Sequence, residues 1–481
     1  MSNLKKPSRK VVLLAGTLAC VWLTGTMTVD GQQMPNLSPI PNSTGLLETL
    51  NASGDPISLA GAFFQSLGTN GRSCFTCHRP AQGWTVSTDE LKTRFETTQG
   101  QDPIFRPVDG ANCNTTGDPT ALPERRKAYS LLLNRGIVRV EMQVPASAEF
   151  TVVGVDNPYG CIDRGSVSVY RRPIPTTNLR ALSAIMWDGR ESAPQTGTSK
   201  ITFQTNPSDL MANLQHQAMD ATNIHAQASA SIPADVRKEI ADFMMSLTTA
   251  QWYDYAAGCL NCDGATGGAK ALANSSMQGF YVGTNDPLGG NPKYTPFTSK
   301  VFSLYDAWVD GATDGANPAR NERRASIARG QTIFNTQQIN IVNVAGLNDD
   351  LNTPSIPGFC GTCHDSPNIG NHSLPVPLNI GVGDLNSPLD VSYLPVFTLQ
   401  NKKTFEVVKT TDPGRALVTG VWKDIGRMKG PILRGLSSRA PYFHNGSAQT
   451  LDDVVDFYDK RFNIGFTADQ KKDLAAFLST L

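Results

Sequence analysis

The chain contains two Cys-x-x-Cys-His motifs, at residues 74–78 and 360–364, and they constrain the fold more than any other feature. This spacing is the attachment pattern of a c-type haem, because two thiols three positions apart reach the two vinyl groups and the following histidine ligates the iron. A disulfide or half of a zinc site is the competing interpretation, but chance rarely places a histidine after both pairs. The residues expected to attach and ligate two covalently bound haems are Cys74, Cys77, His78, Cys360, Cys363 and His364.

Length and charge limit the remaining possibilities. A chain of 481 residues is long enough for two or three domains. Its 42 basic and 42 acidic residues balance, and no basic run interleaves with aromatic residues, so the sequence does not indicate nucleic-acid binding. Docking of a protein partner would have to rely on local surface patches.

Residues 1–32 have the pattern of an export signal. Basic residues between Lys5 and Lys10 precede an apolar stretch from Val11 to about Val29. Cleavage and retention as an N-terminal membrane anchor both remain open, since no clear small-x-small site precedes Gln32. No later apolar run is long enough to span a bilayer. We therefore expect a periplasmic or otherwise exported protein, with N-terminal membrane attachment as an alternative.

Four cysteines remain after the haem motifs and Cys20 are set aside. An even remainder in an oxidising compartment predicts two disulfides, and we pair Cys113 with Cys161 and Cys259 with Cys262. A third haem at residues 259–262 is rejected, because Asp263 stands where the proximal histidine would be.

A weak internal repeat of helix, haem motif and closing helix organises the chain. It predicts a first cytochrome c domain at 33–250, a Gly- and Asn-rich connector at 251–320, and a second cytochrome c domain at 321–481. Alternating residues within about 79–175 predict a small β insertion. The expected fold is mainly α, with two c-type cytochrome domains and this β insertion in the first.

Two further segments carry a family resemblance. Residues 187–190 (Trp-Asp-Gly-Arg) and 439–446 (Arg-Ala-Pro-Tyr-Phe-His-Asn-Gly), together with the haem motifs, resemble the bacterial di-haem cytochrome c peroxidases and the related MauG-type enzymes. The resemblance covers most of 55–250 and 320–481. It implies that hydrogen peroxide is reduced to water at the first haem, with electrons relayed from the second.

The resemblance also places Trp187 between the haems, where an indole can pass electrons. The alternative is a tryptophan that only packs in the core, beside a paired Asp188 and Arg190. His444, in the turn that ends the second segment, is expected to hydrogen-bond a haem propionate rather than ligate iron. No histidine lies between His78 and His216, so the sixth position of the first haem is expected to be open.

Cleavage of peroxide needs a group that takes a proton from the near oxygen and delivers it to the far one. The family uses a Gln and, ten residues later, a Glu. Residues 214–218 resemble the Gln region and nominate Gln217, but the residue ten positions on is Gln227, which cannot act as an acid. His225 is therefore the candidate acid–base group, or a ligand of the first haem; the alternative is a structural histidine with satisfied hydrogen bonds.

A second alignment nominates a different acid. Residues 206–211 (Asn-Pro-Ser-Asp-Leu-Met) resemble the acid region of the family and point to Asp209. The alternative for Asp209 is an ordinary surface carboxylate.

The sixth ligand of the second haem is expected to depart from the common family pattern. A Met often falls seventeen residues after the Pro of Ala-Pro-Tyr-Phe-His, and here that residue is Tyr458. Tyr458 resembles the tyrosine ligand of the MauG-type enzymes; a phenolate favours ferric iron, whereas a thioether raises the potential. An inward tyrosine that only packs is the alternative. Met428 is the fallback ligand and His372 a weaker one.

Many family members also hold calcium between their domains, through backbone oxygens of the Arg-Ala-Pro stretch and an Asn before the tryptophan segment. Arg439 and Pro441 match the backbone part, whereas Arg172 or Pro173 stands at the Asn position. Calcium is thus a second cofactor that the sequence supports only in part.

Three functions fit these observations. The first is an exported di-haem peroxidase that takes electrons from a small cytochrome c or cupredoxin. The second is MauG-like or oxygenase-like oxidation of a protein or organic substrate, which Tyr458 favours. The third is a pure electron carrier in which both irons are six-coordinate.

Overall fold

The computed structural model describes residues 33–113, 119–161, 166–182, 184–192, 207–275, 281, 283–310, 317–365, 374 and 376–481. The predicted export signal at 1–32 and the alternative ligand His372 lie outside these residues. Within the described part, no helix has the length and apolar character needed to cross a membrane.

The prediction of a mainly α protein is wrong. Helices make up 33% and strands 17% of the described residues, and strands occur in both halves of the chain. The physical reason is that long loops surround the haem motifs, and their backbone groups need hydrogen-bond partners where they are buried. Extended stretches with alternating buried and half-buried residues, such as 396–401, pair into small antiparallel sheets.

The helices are α1 Thr88–Thr98, α2 Leu122–Ala128, α3 Ser130–Arg135, α4 Pro207–Ile224, α5 Ala234–Ser246, α6 Ala269–Ser275, α7 Pro318–Thr336, α8 Cys360–Cys363, α9 Ala416–Thr419, α10 Leu451–Phe462 and α11 Ala468–Leu478. The strands are β1 Gln33–Met34, β2 Ile40–Pro41, β3 Gly45–Asn51, β4 Ile57–Ser58, β5 Val138–Gln143, β6 Phe150–Asp156, β7 Ser166–Arg171, β8 Leu247–Asp254, β9 Gly258–Cys259, β10 Ile339–Val342, β11 Ser355–Gly358, β12 Val396–Asn401 and β13 Val407–Thr410.

The strands form five antiparallel sheets among the described residues. The largest has the order β2-β3-β8-β9, and it joins the N-terminal segment to the strand that follows α5. The predicted insertion does contain strands, since β5 pairs with β7. However, β6 pairs with β12 from Val396↔Asp156 to Asn401↔Phe150. The insertion is therefore built into a sheet with the second half, order β13-β12-β6, rather than confined to the first.

Both predicted disulfides are confirmed, Cys113 with Cys161 and Cys259 with Cys262. The first closes a span of 48 residues within the β insertion. The four cysteines of the haem motifs are free of disulfides, which leaves their thiols available for attachment.

Each haem motif packs against its own apolar core. The first core joins α4, α5 and the segment before the motif, with Phe63, Phe64 and Trp84 as its aromatic members. The second joins α7 and α11, which cross closely at Gly330, where a Cβ would collide with the backbone carbonyl of Asp473. The connector contributes to this second core, because Phe302 packs edge-on against Phe477.

A loop of the same backbone course occurs twice, 257 positions apart. Ile185 bridges Glu191 in the first copy and Tyr442 bridges Ala448 in the second. Positive φ angles recur at matching positions: 66° and 65° at Met186 and Phe443, and 68° and 69° at the glycines three residues later. Short 3-10 helices, Leu179–Ala181 and Leu436–Ser438, precede the two copies. We call residues 185–191 the tryptophan loop and residues 442–448 the histidine loop.

Candidate haem-binding sites

The first motif forms a tight turn at the edge of a cavity of about 1400 Å³ including its open mouth. The backbone N–H of His78 donates to the carbonyl of Cys74, and the hydroxyl of Thr76 accepts from the N–H of Ser73. Nδ1 of His78 lies 3.0 Å from the carbonyl of Trp84, so Nδ1 carries the proton and Nε2 is left as the ligand atom. Burial lowers the pKa of His78 to about 4, which keeps the imidazole neutral.

Helix α4 forms one wall of this cavity. Leu214, Gln217, Ala218 and Ala221 follow helical spacing, and His225 comes directly after the last turn. The structure therefore brings two of the three candidate distal residues, Gln217 and His225, into the same cavity as His78. Asp209, in the first turn of α4, is not among the described residues that line either cavity.

The ring of His225 is held by a carboxylate that no sequence motif indicates, that of Asp109. Nδ1 of His225 lies 2.5 Å from Oδ2 of Asp109, and the other oxygen of Asp109 accepts from Arg72 at 2.5 Å. Burial alone would raise the pKa of Asp109, but the Arg72 charge and the hydrogen bonds from both partners hold it below its ordinary value. Asp109 is therefore a carboxylate that only accepts hydrogen bonds.

The second motif forms α8 at a cavity of about 1780 Å³ including its open mouth. The N–H of His364 donates to the carbonyl of Cys360, as in the first motif. Tyr458, on α10, faces the same cavity, and its hydroxyl lies 3.4 Å from Nε2 of His364. Burial raises the pKa of Tyr458, so a phenolate here needs a cation close by. The fallback ligand Met428 also lines this cavity, while its backbone bridges Leu378.

His444 lies in the wall of the second cavity with its ring buried. Its Nε2 has no hydrogen-bond partner among the described residues and lies 4.0 Å from the nearest oxygen of Asp412. Burial lowers the pKa of His444 to about 4. A buried polar atom of this kind requires a partner, and a carboxylate of a bound haem would provide one.

Three buried cations around the second cavity also indicate a bound carboxylate. Arg172, Lys429 and Arg439 line it, and within the described part of the chain they hydrogen-bond only to backbone carbonyls. Burial lowers the pKa of Arg172 to about 9 and that of Lys429 to about 8, which reflects the missing counter-charge. Buried cations are normally paired with anions. Haem carries two propionates, so these residues fit a haem in the second cavity, and Arg172 and Lys429 also line the first.

One of the expected calcium ligands, the backbone oxygen of Arg439, is engaged with a side chain. The guanidinium of Arg172 donates to the carbonyl of Arg439 at 2.9 Å and to that of Val86 at 2.7 Å. It also donates to the carbonyls of Arg135 and Gly136. A positive group of the protein thus already lies against the oxygen that calcium would use.

The tryptophan and histidine loops meet between the two cavities. Trp187 lines both, and its Nε1 donates to the carbonyl of Arg172 at 2.8 Å. The N–H of Arg172 donates to the carbonyl of His444, and the N–H of Lys429 donates to that of Trp187. The ring centroids of Trp187 and His444 are 6.1 Å apart. Trp187 therefore lies at the boundary that the two cavities share.

Asp188 fixes the tryptophan loop. Its carboxylate accepts from Arg171 at 2.5 Å and from Arg190 at 2.8 Å, and it is fully buried. Burial would raise the pKa of Asp188, but the two guanidinium groups hold it well below its usual range. The predicted Asp188–Arg190 pair exists, and it supports the loop without excluding a relay at Trp187.

Two cavities, each bordered by a Cys-x-x-Cys-His motif, are the arrangement expected of a c-type cytochrome. No family model matches the chain. Cytochrome-c peroxidase IdrP2 of Denitromonas iodatirespirans is 33% identical over 136 residues, covering 26% of this chain and 36% of the relative. Cytochrome c551 peroxidase of Nitrosomonas europaea is 28% identical over 146 residues, covering 28% of this chain and 36% of the relative.

These matches confirm the resemblance, and the chain is related in sequence to the bacterial cytochrome c peroxidases. The chain matches about a third of the length of these relatives, 36% in each case. Among solved structures, a MauG-like protein associated with microbial copper homeostasis aligns over 87% of both chains at 14% identity, with a TM-score of 0.32. A score this low supports no statement about fold or function.

Proposed function

We propose that the protein is an exported di-haem cytochrome that reduces hydrogen peroxide to water. A haem c bound at each motif would supply an iron that exchanges single electrons and, where a coordination position is open, takes peroxide as a ligand. The sequence similarity to proteins named cytochrome c peroxidases supports this activity. The electron donor would be a small cytochrome c or cupredoxin.

The observation that carries the proposal is the asymmetry of the two cavities. In the second, the hydroxyl of Tyr458 lies 3.4 Å from the ligand nitrogen of His364, so a protein group stands ready as sixth ligand. In the first, the lining includes the polar side chains of Gln217 and His225, and the ring of His225 is held by Asp109, which lines the same cavity. The second cavity thus has a side chain placed to fill the sixth coordination position of its iron. The first has polar side chains placed to bind a substrate.

His225 and Gln217 have the chemistry that peroxide cleavage needs. Reduction of one peroxide consumes two electrons and two protons and yields two waters. Nε2 of His225 would accept the proton of one peroxide oxygen and return it to the other, which then leaves as water. The side-chain amide of Gln217, two turns earlier on the same wall, would orient the peroxide by hydrogen bonding.

Trp187 would couple the two sites. It is the indole that lines both cavities, and the backbone hydrogen bonds from Arg172 and Lys429 hold the loops on either side of it in place. Electrons entering at the second haem would then reach the first through a rigid, buried aromatic group.

A MauG-like oxidation of a protein or organic substrate is the second candidate. Tyr458 favours it, because a phenolate ligand stabilises oxidised iron and makes the second haem a poor entry port for electrons. The identity of the reductant separates the two candidates.

The test uses the mature protein with both haems attached. We would record the ferric EPR spectrum, add one equivalent of peroxide, and then supply a reduced small cytochrome or cupredoxin. A high-spin signal that disappears with peroxide, followed by steady oxidation of the donor, is the expected result. Two low-spin haems that peroxide leaves unchanged, in both the oxidised and the half-reduced protein, would contradict the proposal and favour an electron carrier.

A further inference from the structure

Asp109 lies where the β insertion meets the first cavity. Its carbonyl accepts from the N–H of Arg139, at the second residue of β5, so its backbone position is fixed by a strand. Its side chain is buried and lines the cavity together with Arg72 and His225. The sequence places Asp109 and His225 far apart, 116 positions, and the fold brings their side chains together.

Arg72 clamps this arrangement from the other side. It stands two residues before Cys74, and its guanidinium donates to the carbonyls of Pro103 and Ile104 as well as to Asp109. It also donates to the backbone carbonyl of His225 at 3.2 Å. A structural role for Asp109 would require only the oxygen that pairs with Arg72, yet the second oxygen is directed at the imidazole.

His225 is held at three points. Its N–H donates to the carbonyl of Ala221 at the end of α4, and its own carbonyl accepts from Asn70 at 2.8 Å as well as from Arg72. Its Nδ1 is taken by Asp109. The ring therefore cannot turn without breaking a hydrogen bond to a buried carboxylate.

We propose that Asp109 is the positioning residue for His225, because by accepting the Nδ1 proton it keeps Nε2 unprotonated and directed into the first cavity. A neutral imidazole carries one proton, and an acceptor at Nδ1 determines which nitrogen is left as the base. This role rests on the proposed function, which gives Nε2 a proton to accept. The proposal goes beyond that function by assigning Asp109 as the group that leaves Nε2 of His225 free to act as the base.

The test measures cyanide binding to the oxidised holoprotein, because this reaction requires neither an electron donor nor turnover. Hydrogen cyanide must lose its proton when it binds ferric iron, and a neutral base in the cavity accelerates that loss. The variants are Asp109→Asn, His225→Ala, the double variant, and Asp102→Asn as matched control. Asp102 is also a carboxylate paired with an arginine near the first motif, Arg94 at 2.5 Å, but it does not line the cavity.

We expect Asp109→Asn and His225→Ala each to slow cyanide association at the first haem by at least about tenfold. An asparagine at this position can donate to Nδ1 and so leave the proton on Nε2. The double variant should be no slower than His225→Ala alone, since Asp109 acts through His225. Asp102→Asn should stay within about twofold of the wild-type rate.

A wild-type rate in Asp109→Asn would overturn the proposal. So would a double variant slowed by the product of the two single effects, because Asp109 would then act independently of His225. If Asp109→Asn does not retain both haems, Asp109→Glu replaces it, since this variant keeps the charge beside Arg72 and displaces the carboxylate by one methylene. A rate at least about threefold below wild type in Asp109→Glu would support the role, and an unchanged rate would overturn it.

The same series separates this inference from the proposed function. Fast cyanide binding that depends on Asp109, in a protein that does not reduce peroxide, would contradict the peroxidase and leave the positioning role standing. If the protein reduces peroxide but its rate of cyanide association is unchanged in the Asp109 variants, only the positioning role is contradicted. A wild-type protein that binds no cyanide would overturn both.

Discussion

Trp187 and His444 occupy equivalent positions in two loops of the same backbone course, and their ring centroids lie 6.1 Å apart. Each loop receives a backbone hydrogen bond from the other half, Arg172 N–H to the carbonyl of His444 and Lys429 N–H to that of Trp187. Arg172 and Lys429 are themselves 257 positions apart, like the loops. The two halves therefore meet by a reciprocal exchange of backbone hydrogen bonds, with the Trp187 indole lining both cavities and the His444 imidazole lining the second.

Replacing Trp187 tests whether electrons pass between the haems through the contact of the tryptophan and histidine loops. We expect Trp187→Phe to slow electron transfer between the haems by at least about tenfold, because phenylalanine fills the space but is far harder to oxidise than an indole. Stopped-flow absorbance of the half-reduced protein after addition of peroxide follows this transfer. Trp422→Phe is the control, since Trp422 packs against Phe150 and lines neither described cavity. Equal transfer rates in both variants would exclude Trp187 as the relay.

Tyr458→Phe should alter the spectrum of one haem only. The hydroxyl of Tyr458 faces His364 at 3.4 Å, so its loss removes the proposed sixth ligand of the second haem. EPR and near-infrared magnetic circular dichroism of the ferric protein report this change. Tyr442→Phe is the matched control, because Tyr442 lines the same cavity but its hydroxyl donates to the carbonyl of Leu436. An unchanged spectrum in Tyr458→Phe would exclude Tyr458 as the sixth ligand and leave Met428 as the candidate.

Lys429→Met should lower the reduction potentials of both haems. Lys429 is a buried cation that lines both cavities, and a nearby positive charge disfavours the more positive ferric state. At an effective dielectric constant of about 20, a unit charge about 10 Å away is worth on the order of 1.5 kcal/mol, or tens of millivolts. Spectroelectrochemical titration measures the shift. Lys423→Met, at an exposed lysine paired with Asp350, should leave both potentials in place; a matching shift there would exclude a local effect of Lys429.

The sequence identified the groups whose chemistry demands a fixed spacing. Cysteine and histidine in each haem motif, and the four cysteines left for disulfides, follow from covalent attachment and counting. The repeated backbone course of the tryptophan and histidine loops could not be predicted in this way. Apart from Gly189 and Gly446 their residues differ, with Met186 matching Phe443 at positive φ, and a non-glycine residue in that region leaves no mark in the sequence.

Asp109 and the sheets were missed for a related reason. Asp109 lies in a segment assigned to an insertion outside the family resemblance, and only the fold brings it to His225. Strand β12 was overlooked because its partner β6 is about 240 positions away, and a half-buried strand depends on such a partner. Long-range pairing therefore accounts for the wrong fold class and for the unrecognised positioning residue.

The pair of His216 and Glu191 should make stability depend on pH. Nδ1 of His216 lies 2.8 Å from the buried carboxylate of Glu191 and ties α4 to the tryptophan loop. The hydrogen bond to Glu191 raises the pKa of His216 above its unfolded value, despite partial burial. The contribution of His216 is therefore present below about pH 6.5 and is lost as pH rises through its higher folded-state pKa. Burial raises the pKa of Glu191, so the pair also weakens at lower pH, where that carboxylate takes up a proton.

We accordingly expect His216→Gln to be less stable than wild type at pH 6, by less than about 1 kcal/mol because the ring is largely exposed, and equal to it near pH 8.5. Chemical denaturation of the holoprotein at both values measures the difference. Lys238→Gln is the control, because it removes an exposed i,i+4 pair with Asp242 that contains no histidine. A His216→Gln deficit that is the same at both pH values would show that the ring stabilises the loop by packing and not by its charge.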